Sequence, residues 1–414
     1  MNETRLRELL REVAVPGEER AERRGLAIVE AAFAQRAATA DAARGDGAGP
    51  DERRRRISLP RLALALAAVT LLAALLLSPA GAAVRDWVDE VFTATPKPEP
   101  GLAEIPGGGW LLVQSAEGPW VVQSDGSRRL LGAYREATWS PHGLFVAVVA
   151  GETLSAVEPD GTPRWSLEAG AAVADPRWSP QGEDIAYRSG NDLRVTAADG
   201  TGDRLLAARV APVAPAWEPH RLPRIAYVDA DGGLRVADSE SGETLGSAPA
   251  LPEAGTLEWA ESGVIMEAST RALRTRGTVT SKLSRRVRIS AAVDHPLPPG
   301  ALLRDAAIDP GAGKLVAAVL DWQASGRKRS SVVLYAAAGG GRTRLLTIPG
   351  SLGELAWSPG GRLLVAWPEA DQWLFLPVGE RGRPRALSGI AAAFAPGDRS
   401  APFPTVEGWC CHAR

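Results

Sequence analysis

The sequence predicts an all-β fold, a β-propeller, carried behind a short helical segment and one transmembrane helix. Three observations predict it. A tryptophan-led phrase recurs at close to forty residues in the downstream part of the chain. Asp-Gly turns punctuate the repeats. Upstream, Leu62 to Val84 (LALALAAVTLLAALLLSPAGAAV) holds no charged residue. As a helix it covers roughly 30 Å, the thickness of a bilayer core.

Composition narrows the function classes. The chain has 414 residues, 45% of them hydrophobic, with a formal net charge of -2. That excludes a wholly disordered chain, and nothing in it calls for nucleic acid as a partner. There are two cysteines, Cys410 and Cys411, so no disulfide framework holds the fold and a hydrophobic core must do so. The four histidines, His142, His220, His295 and His412, are too sparse for a multi-histidine metal site.

Residues 1–61 read as a cytoplasmic helical segment with a flexible basic linker. Asn2 and Thr4 suit a helix cap, and Leu6, Leu9, Leu10 and Val13 follow at helical spacing until Pro16-Gly17. A second helix, about Glu18 to Ala38, carries Leu26, Ile28, Val29, Ala32 and Phe33. This segment either docks a cytoplasmic protein partner or rests on the membrane surface. Arg53 to Arg56 and Arg61 stand just before residues 62–84. By the positive-inside rule they put the N-terminus in the cytoplasm, and beside a membrane span they fit lipid contact better than nucleic acid. Residues 62–84 are apolar all round, unlike the striped helix of a soluble core. Small residues at Ala80 to Ala83 suggest a cleaved signal peptide instead, but the upstream segment is far longer than a signal's charged leader. Residues 85–103 hold a short amphipathic helix and the Pro-rich spacer TATPKPEPG.

The propeller is expected over 104–398. Trp139, Trp178 and Trp217 are 39 residues apart, and Trp259, Ile308 and Trp357 follow at 42, 49 and 49. Each tryptophan offers a flat side chain for packing between sheets, Ser-Pro and Gly turn the chain, and an alternating strand such as Leu144, Val146 and Val148 follows. Asp125-Gly126, Asp160-Gly161, Asp199-Gly200 and Asp231-Gly232 mark later hairpins. Trp110 to Leu131 looks like a unit missing its first strand, and IAAAFAPGD (Ile390 to Asp398) like a first strand without successors. Joined, they close the ring and give seven blades. Six is the alternative, because the units at 257–290 and 306–348 are irregular. Residues 399–414 then form a tail.

The phrases ATWSPHGLFVAVV, PRWSPQGEDIAY and LAWSPGGRLLVAW resemble the repeats of TolB-like, WD40-like β-propellers. The family usually has Asp where His142, Gln181 and Gly360 stand here. TolB's soluble N-terminal domain has no counterpart, and neither does the hydrolase domain of prolyl-peptidase relatives. The resemblance therefore implies a fold and no particular chemistry. The order of parts resembles membrane-bound anti-sigma factors: helices inside, one span, a sensor outside. The zinc-binding His and Cys of one such class are absent from residues 1–61.

No nucleophile elbow, phosphate loop or paired Cys-x-x-Cys occurs, so no catalytic, cofactor-binding or metal residues are assigned. Gly107 to Gly109 and Gly339 to Gly341 are flexible loops, and Asp229-Ala230-Asp231-Gly232 is a hairpin turn rather than a calcium loop. His142 and His220 fill equivalent turns. Arg271, Arg274, Arg276, Lys282, Arg285, Arg286 and Arg288 form one basic cluster and Arg327, Lys328 and Arg329 another, either as solvated surface or as contacts to an acidic polymer or lipid. Cys410 and Cys411 are either a vicinal disulfide or packed thiols beside Trp409. The expected function is an extracytoplasmic binding or sensing module held to the cell membrane, able to signal to a cytoplasmic partner. An envelope hydrolase or lyase, drawing on Asp175, Asp192, Asp305 or Asp321 in the channel, is the alternative, and a plain scaffold another. The full-length product should leave the membrane fraction only with detergent; its recovery intact from the soluble fraction would contradict the anchor.

Overall fold

The computed structural model describes residues 102–411, apart from 220–221, 281–285, 325, 380–382, 397 and 399. The helical segment and the span expected at 62–84 lie outside the described residues. Among the described residues no helix is long and apolar enough to cross a membrane.

The described strands form seven antiparallel sheets arranged as the blades of a propeller. Blade 2 shows the plan: Glu136–Trp139, Val146–Ala150, Thr153–Val157 and Pro163–Glu168, each paired with the next. Blades 3, 4, 6 and 7 begin with Val173–Trp178, Ala216–Trp217, Leu302–Ile308 and Leu355–Trp357 and repeat the order. Blade 5, starting at Thr256–Trp259, departs from it. Its third strand, Ala272–Thr280, pairs with both Val287–Ile289 and Val293–His295, giving five strands. The first strand of each blade touches that of the next all the way round, so these strands line the centre.

The irregularity of the units at 257–290 and 306–348 thus comes from an added strand in blade 5 and longer strands in blade 6, not from a missing blade. In blade 6, Leu315–Ala324 and Arg327–Ala336 run for ten residues each. Seven blades, rather than six, is the observed count among the described residues.

The closing strand is not the one expected from the sequence. Ile390–Phe394 is a short helix, and its Ala391 N–H bonds Asp371 Oδ1 at 2.6 Å. An apolar run this short does not distinguish strand from buried helix by periodicity, and its alanines favour the helix. Phe394 packs edge-on to Trp120 and tilted on Trp373, filling the seam between blades 7 and 1. The strand that completes blade 1 is Thr405–Cys410, expected to be part of a tail. It pairs with Trp110–Ser115 in the register Trp110↔Cys410, Leu111↔Trp409 and Leu112↔Gly408, then shifts at a bulge to Val113↔Val406. The propeller therefore reaches Cys410, beyond the expected boundary at 398.

Local chemistry explains the turns. In the Trp-Ser-Pro phrases the serine hydroxyl accepts backbone N–H bonds across the turn: Ser140 from Phe145, Ser179 from Asp184, Ser358 from Arg362. Blade 4 replaces that serine with buried Glu218, which pairs with Arg224 at 3.3 Å. In the Asp-Gly hairpins, Asp125, Asp160 and Asp199 each accept the N–H two residues on.

The core lies between blades. One cluster joins Ala317, Val319 and Val332 of blade 6 to Leu363 and Val365 of blade 7. Middle strands are consequently buried on both faces, not half-buried as the alternation suggested. Every residue of Arg224–Val228 and of Gly118–Val122 is buried. Leu144, read as part of such a strand, sits in the preceding turn and is 60% exposed. Closure depends on the six residues of Thr405–Cys410. Deleting 405–414 should uncover the edge of Trp110–Ser115 and send the shortened protein into aggregates on size exclusion; a monodisperse, cooperatively unfolding product would contradict this closure.

Candidate functional site: the tryptophan-walled channel

The first strands place one large side chain from most blades around a central cavity of about 430 Å³. Trp178, Trp217, Trp259, Trp357 and Trp409 form its wall, with Pro180, Pro219 and Pro310 from the adjoining turns. These indoles are nearly buried and pack in the apolar clusters between blades. Two donate to the inner strand of the preceding blade: Trp217 Nε1 to the Arg177 carbonyl at 2.9 Å and Trp357 Nε1 to the Ala307 carbonyl at 3.1 Å. Trp409 Nε1 donates to Gly108 O at 2.8 Å. The indole N–H groups of Trp139, Trp178 and Trp259 are buried without a protein acceptor among the described residues.

Carboxylates form a second set of stitches. Glu136 accepts the Asp175 N–H of the next blade at 2.6 Å. Glu258 accepts Ile308 N–H at 2.8 Å, and Asp305 accepts Leu355 N–H at 2.7 Å. Asp305 also takes the Ala306 N–H at 2.9 Å, so both its oxygens are used. Burial nevertheless outweighs these bonds. It pushes the Glu258 and Asp305 carboxyls up to about 7, helped by their mutual repulsion at Glu258 and by Glu354 and Glu407 at Asp305. Glu407 is raised by burial as well, against the bond from Thr405 and the charge of Arg177. Arg177, exposed to the cavity, also favours the charged form of Glu258.

The residues singled out from sequence separate clearly. The repeat tryptophans Trp178, Trp217, Trp259 and Trp357 converge on the cavity, while Trp139 packs against Trp110 with centroids 6.2 Å apart. The four aspartates do not converge. Asp175 pairs with Arg188 at 2.7 Å, Asp192 meets the Arg209 N–H, and Asp321, buried in the second strand of blade 6, faces Ser330, Lys328 and Arg304. Only Asp305 joins the channel stitches. Asp229 accepts the Asp231 and Gly233 N–H groups and pairs with Arg235 at 2.6 Å, as a hairpin turn requires. The first basic cluster is divided: Arg276 is buried against Glu267 at 3.0 Å, Arg274 pairs with Asp294, and Arg286 and Arg288 are exposed. Arg327, Lys328 and Arg329 are exposed at the end of the blade 6 hairpin. His142 is exposed in its turn, and His220 lies outside the described residues. Among the described residues no three His, Cys, Asp or Glu are grouped to hold a metal.

Arg177, Glu258 and Glu407 were not found from sequence. A usable signal exists for two of them. Each sits just before a repeat tryptophan, on the opposite face of an innermost strand, and Arg177 and Glu258 both line the channel from that position.

No family model matches the chain, and no curated protein matches it. Solved structures do. The β-propeller domain of Myceliophteria thermophila Cps50 (Swd1) superposes with a TM-score of 0.53 at 14% identity, over 68% of this chain and 99% of that one. Kluyveromyces lactis Hsv2p follows with a TM-score of 0.47 at 12% identity, over 67% and 92%. The fold is a seven-bladed β-propeller. Identity this low fixes the architecture alone.

Because folded Glu258 and Asp305 keep their protons to about pH 7, while the unfolded chain releases them near pH 4, they favour folding less as pH rises through that window. Glu258→Gln keeps an acceptor for Ile308 and removes the buried charge. It should stabilise the protein by about 1–3 kcal/mol at pH 8 and by little at pH 4.5, read from urea unfolding. An equal gain at both pH values would contradict this.

Proposed function

We propose that this chain is a non-catalytic binding or sensing module, a propeller held outside the cell membrane by a single span at 62–84. One observation carries the binding reading. The channel is a rigid, aromatic- and proline-walled hollow in which the Trp217 and Trp357 indoles and the Glu258 and Asp305 carboxylates join neighbouring blades. Such a frame keeps its shape while the mouth meets a ligand, so little ordering entropy is lost on binding. WD40-like propellers generally serve as protein-binding scaffolds, and a protein segment is the ligand class that suits this mouth. The anchor and the outward orientation are supported by the uncharged stretch and by Arg53 to Arg56 before it. Residues 1–61 would then report to a cytoplasmic partner in the manner of an anti-sigma factor.

The hydrolase or lyase reading draws on Glu258 and Asp305, whose pKa values near 7 suit proton transfer. Against it, Asp305 has both oxygens bonded to backbone, and among the described residues the cavity lining holds no serine, cysteine or histidine.

Protease added to intact cells should digest the propeller and spare an epitope within 1–61; the reverse pattern would overturn the orientation. A photo-crosslinking residue at Arg177 should give a discrete protein adduct in cells, and one at Arg344, on an outermost strand, should not. Absence of any adduct at 177 counts against binding at the channel.

A further inference from the structure

The seam between blades 1 and 2 carries chemistry that neither the fold nor the binding reading uses. Cys410 ends the closing strand opposite Trp110, and Cys411 follows with a left-handed backbone, φ 61°. Their sulfurs lie at bonding distance. The pair rests on Gly143, in the blade 2 turn after Trp139, where an added Cβ would collide with both sulfurs. On the other side, a Cβ at Gly109 would come within 2.7 Å of the Cys411 carbonyl and 2.8 Å of the Cys410 carbonyl. Two glycines therefore make room for this one dipeptide.

A bond between adjacent residues closes almost no loop, so it removes little entropy from the unfolded chain. Stapling the ring is not its effect. What it fixes is local: the backbone at the end of the closing strand and the sulfur pair against the neighbouring blade. Access is unequal, with Cys410 buried and Cys411 partly exposed.

We propose that Cys410–Cys411 is a thiol–disulfide exchange site, opened by a dithiol reductant and closed again by a disulfide oxidant. A thiolate of the dithiol attacks Cys411 Sγ, the bond between the two cysteines breaks, and Cys410 leaves as thiolate. The second thiol of the reductant then attacks the mixed disulfide and releases Cys411. Two electrons and two protons pass to the cysteine pair, and the dithiol becomes a disulfide. Once separate, two non-bonded sulfurs need more space than a covalent pair at ~2.05 Å. With Gly143 and Gly109 already in contact, either the Ser140–Phe145 turn or the end of the closing strand must shift. The redox state of the pair is thereby expressed where the end of the closing strand meets blade 2.

The test uses full-length protein in detergent micelles, dithiothreitol as the dithiol and a thiol-alkylating label read by intact mass and peptide mapping. Without reductant the native protein should take no label. With dithiothreitol it should take two, at Cys410 and Cys411, and its thermal midpoint should fall by about 2–4 °C. Oxidised glutathione should restore the original midpoint. The double variant Cys410→Ser, Cys411→Ser should start at the lower midpoint and ignore the reductant; if it does not fold, the dithiothreitol arm decides alone. Labelling without reductant, labelling only after denaturation, or an unchanged midpoint on reduction would each overturn the proposal. The crosslink at Arg177 does not depend on this outcome, so the two readings fail separately.

Discussion

The pairing of Thr405–Cys410 with Trp110–Ser115 is the constraint on which the rest of the structure depends. It joins residues some three hundred apart in sequence, and it is the contact that turns a row of sheets into a ring. Every other blade is built from consecutive chain, so its strands meet locally. Blade 1 alone among the seven takes its innermost strand from the far end. Without that strand, Trp110–Ser115 is an open edge and the channel loses the wall formed by Val406, Glu407 and Trp409. Phe375 and the Gly108 carbonyl hold Trp409 in place, tying blade 7 and the start of the described chain to the same strand.

The channel follows from how blades are joined. Adjacent first strands touch but do not form ladders with one another, so their free backbone groups need other partners. Indole N–H groups reach back to the preceding blade, and carboxylates accept N–H bonds from the following one. This gives a rigid centre at an electrostatic cost, since burial raises the carboxyl pKa values. Strain of that kind at a cavity can mark catalysis. Here the carboxylates have structural duties that account for their position.

Much of the blade architecture was legible in the sequence, because the same local solution recurs. Trp-Ser-Pro-x-Gly writes a strand end and its turn, and the serine hydroxyl that closes the turn is part of the phrase. The closing strand was not legible: TVEGWC carries the tryptophan but lacks the Ser-Pro after it, and the alanine-rich IAAAF looked more like a strand than it is. Burial was misjudged for a related reason. A propeller's middle strands pack on both faces, a tertiary fact that alternation in one strand does not encode. The channel residues were hidden because Arg177, Glu258 and Glu407 come from distant units and matter only once the ring is closed. The cysteine pair stood out as a dipeptide, but its seating on Gly143 required knowing that blade 2 lies beside the end of the chain.

Native-state hydrogen exchange of the full-length protein tests closure most directly. If the C-terminal strand completes blade 1, amides in 405–410 and in 110–115 open together, with protection comparable to the central strands of the other blades. Rapid exchange throughout 405–410 while 110–115 stays protected would show that the ring is shut by something else.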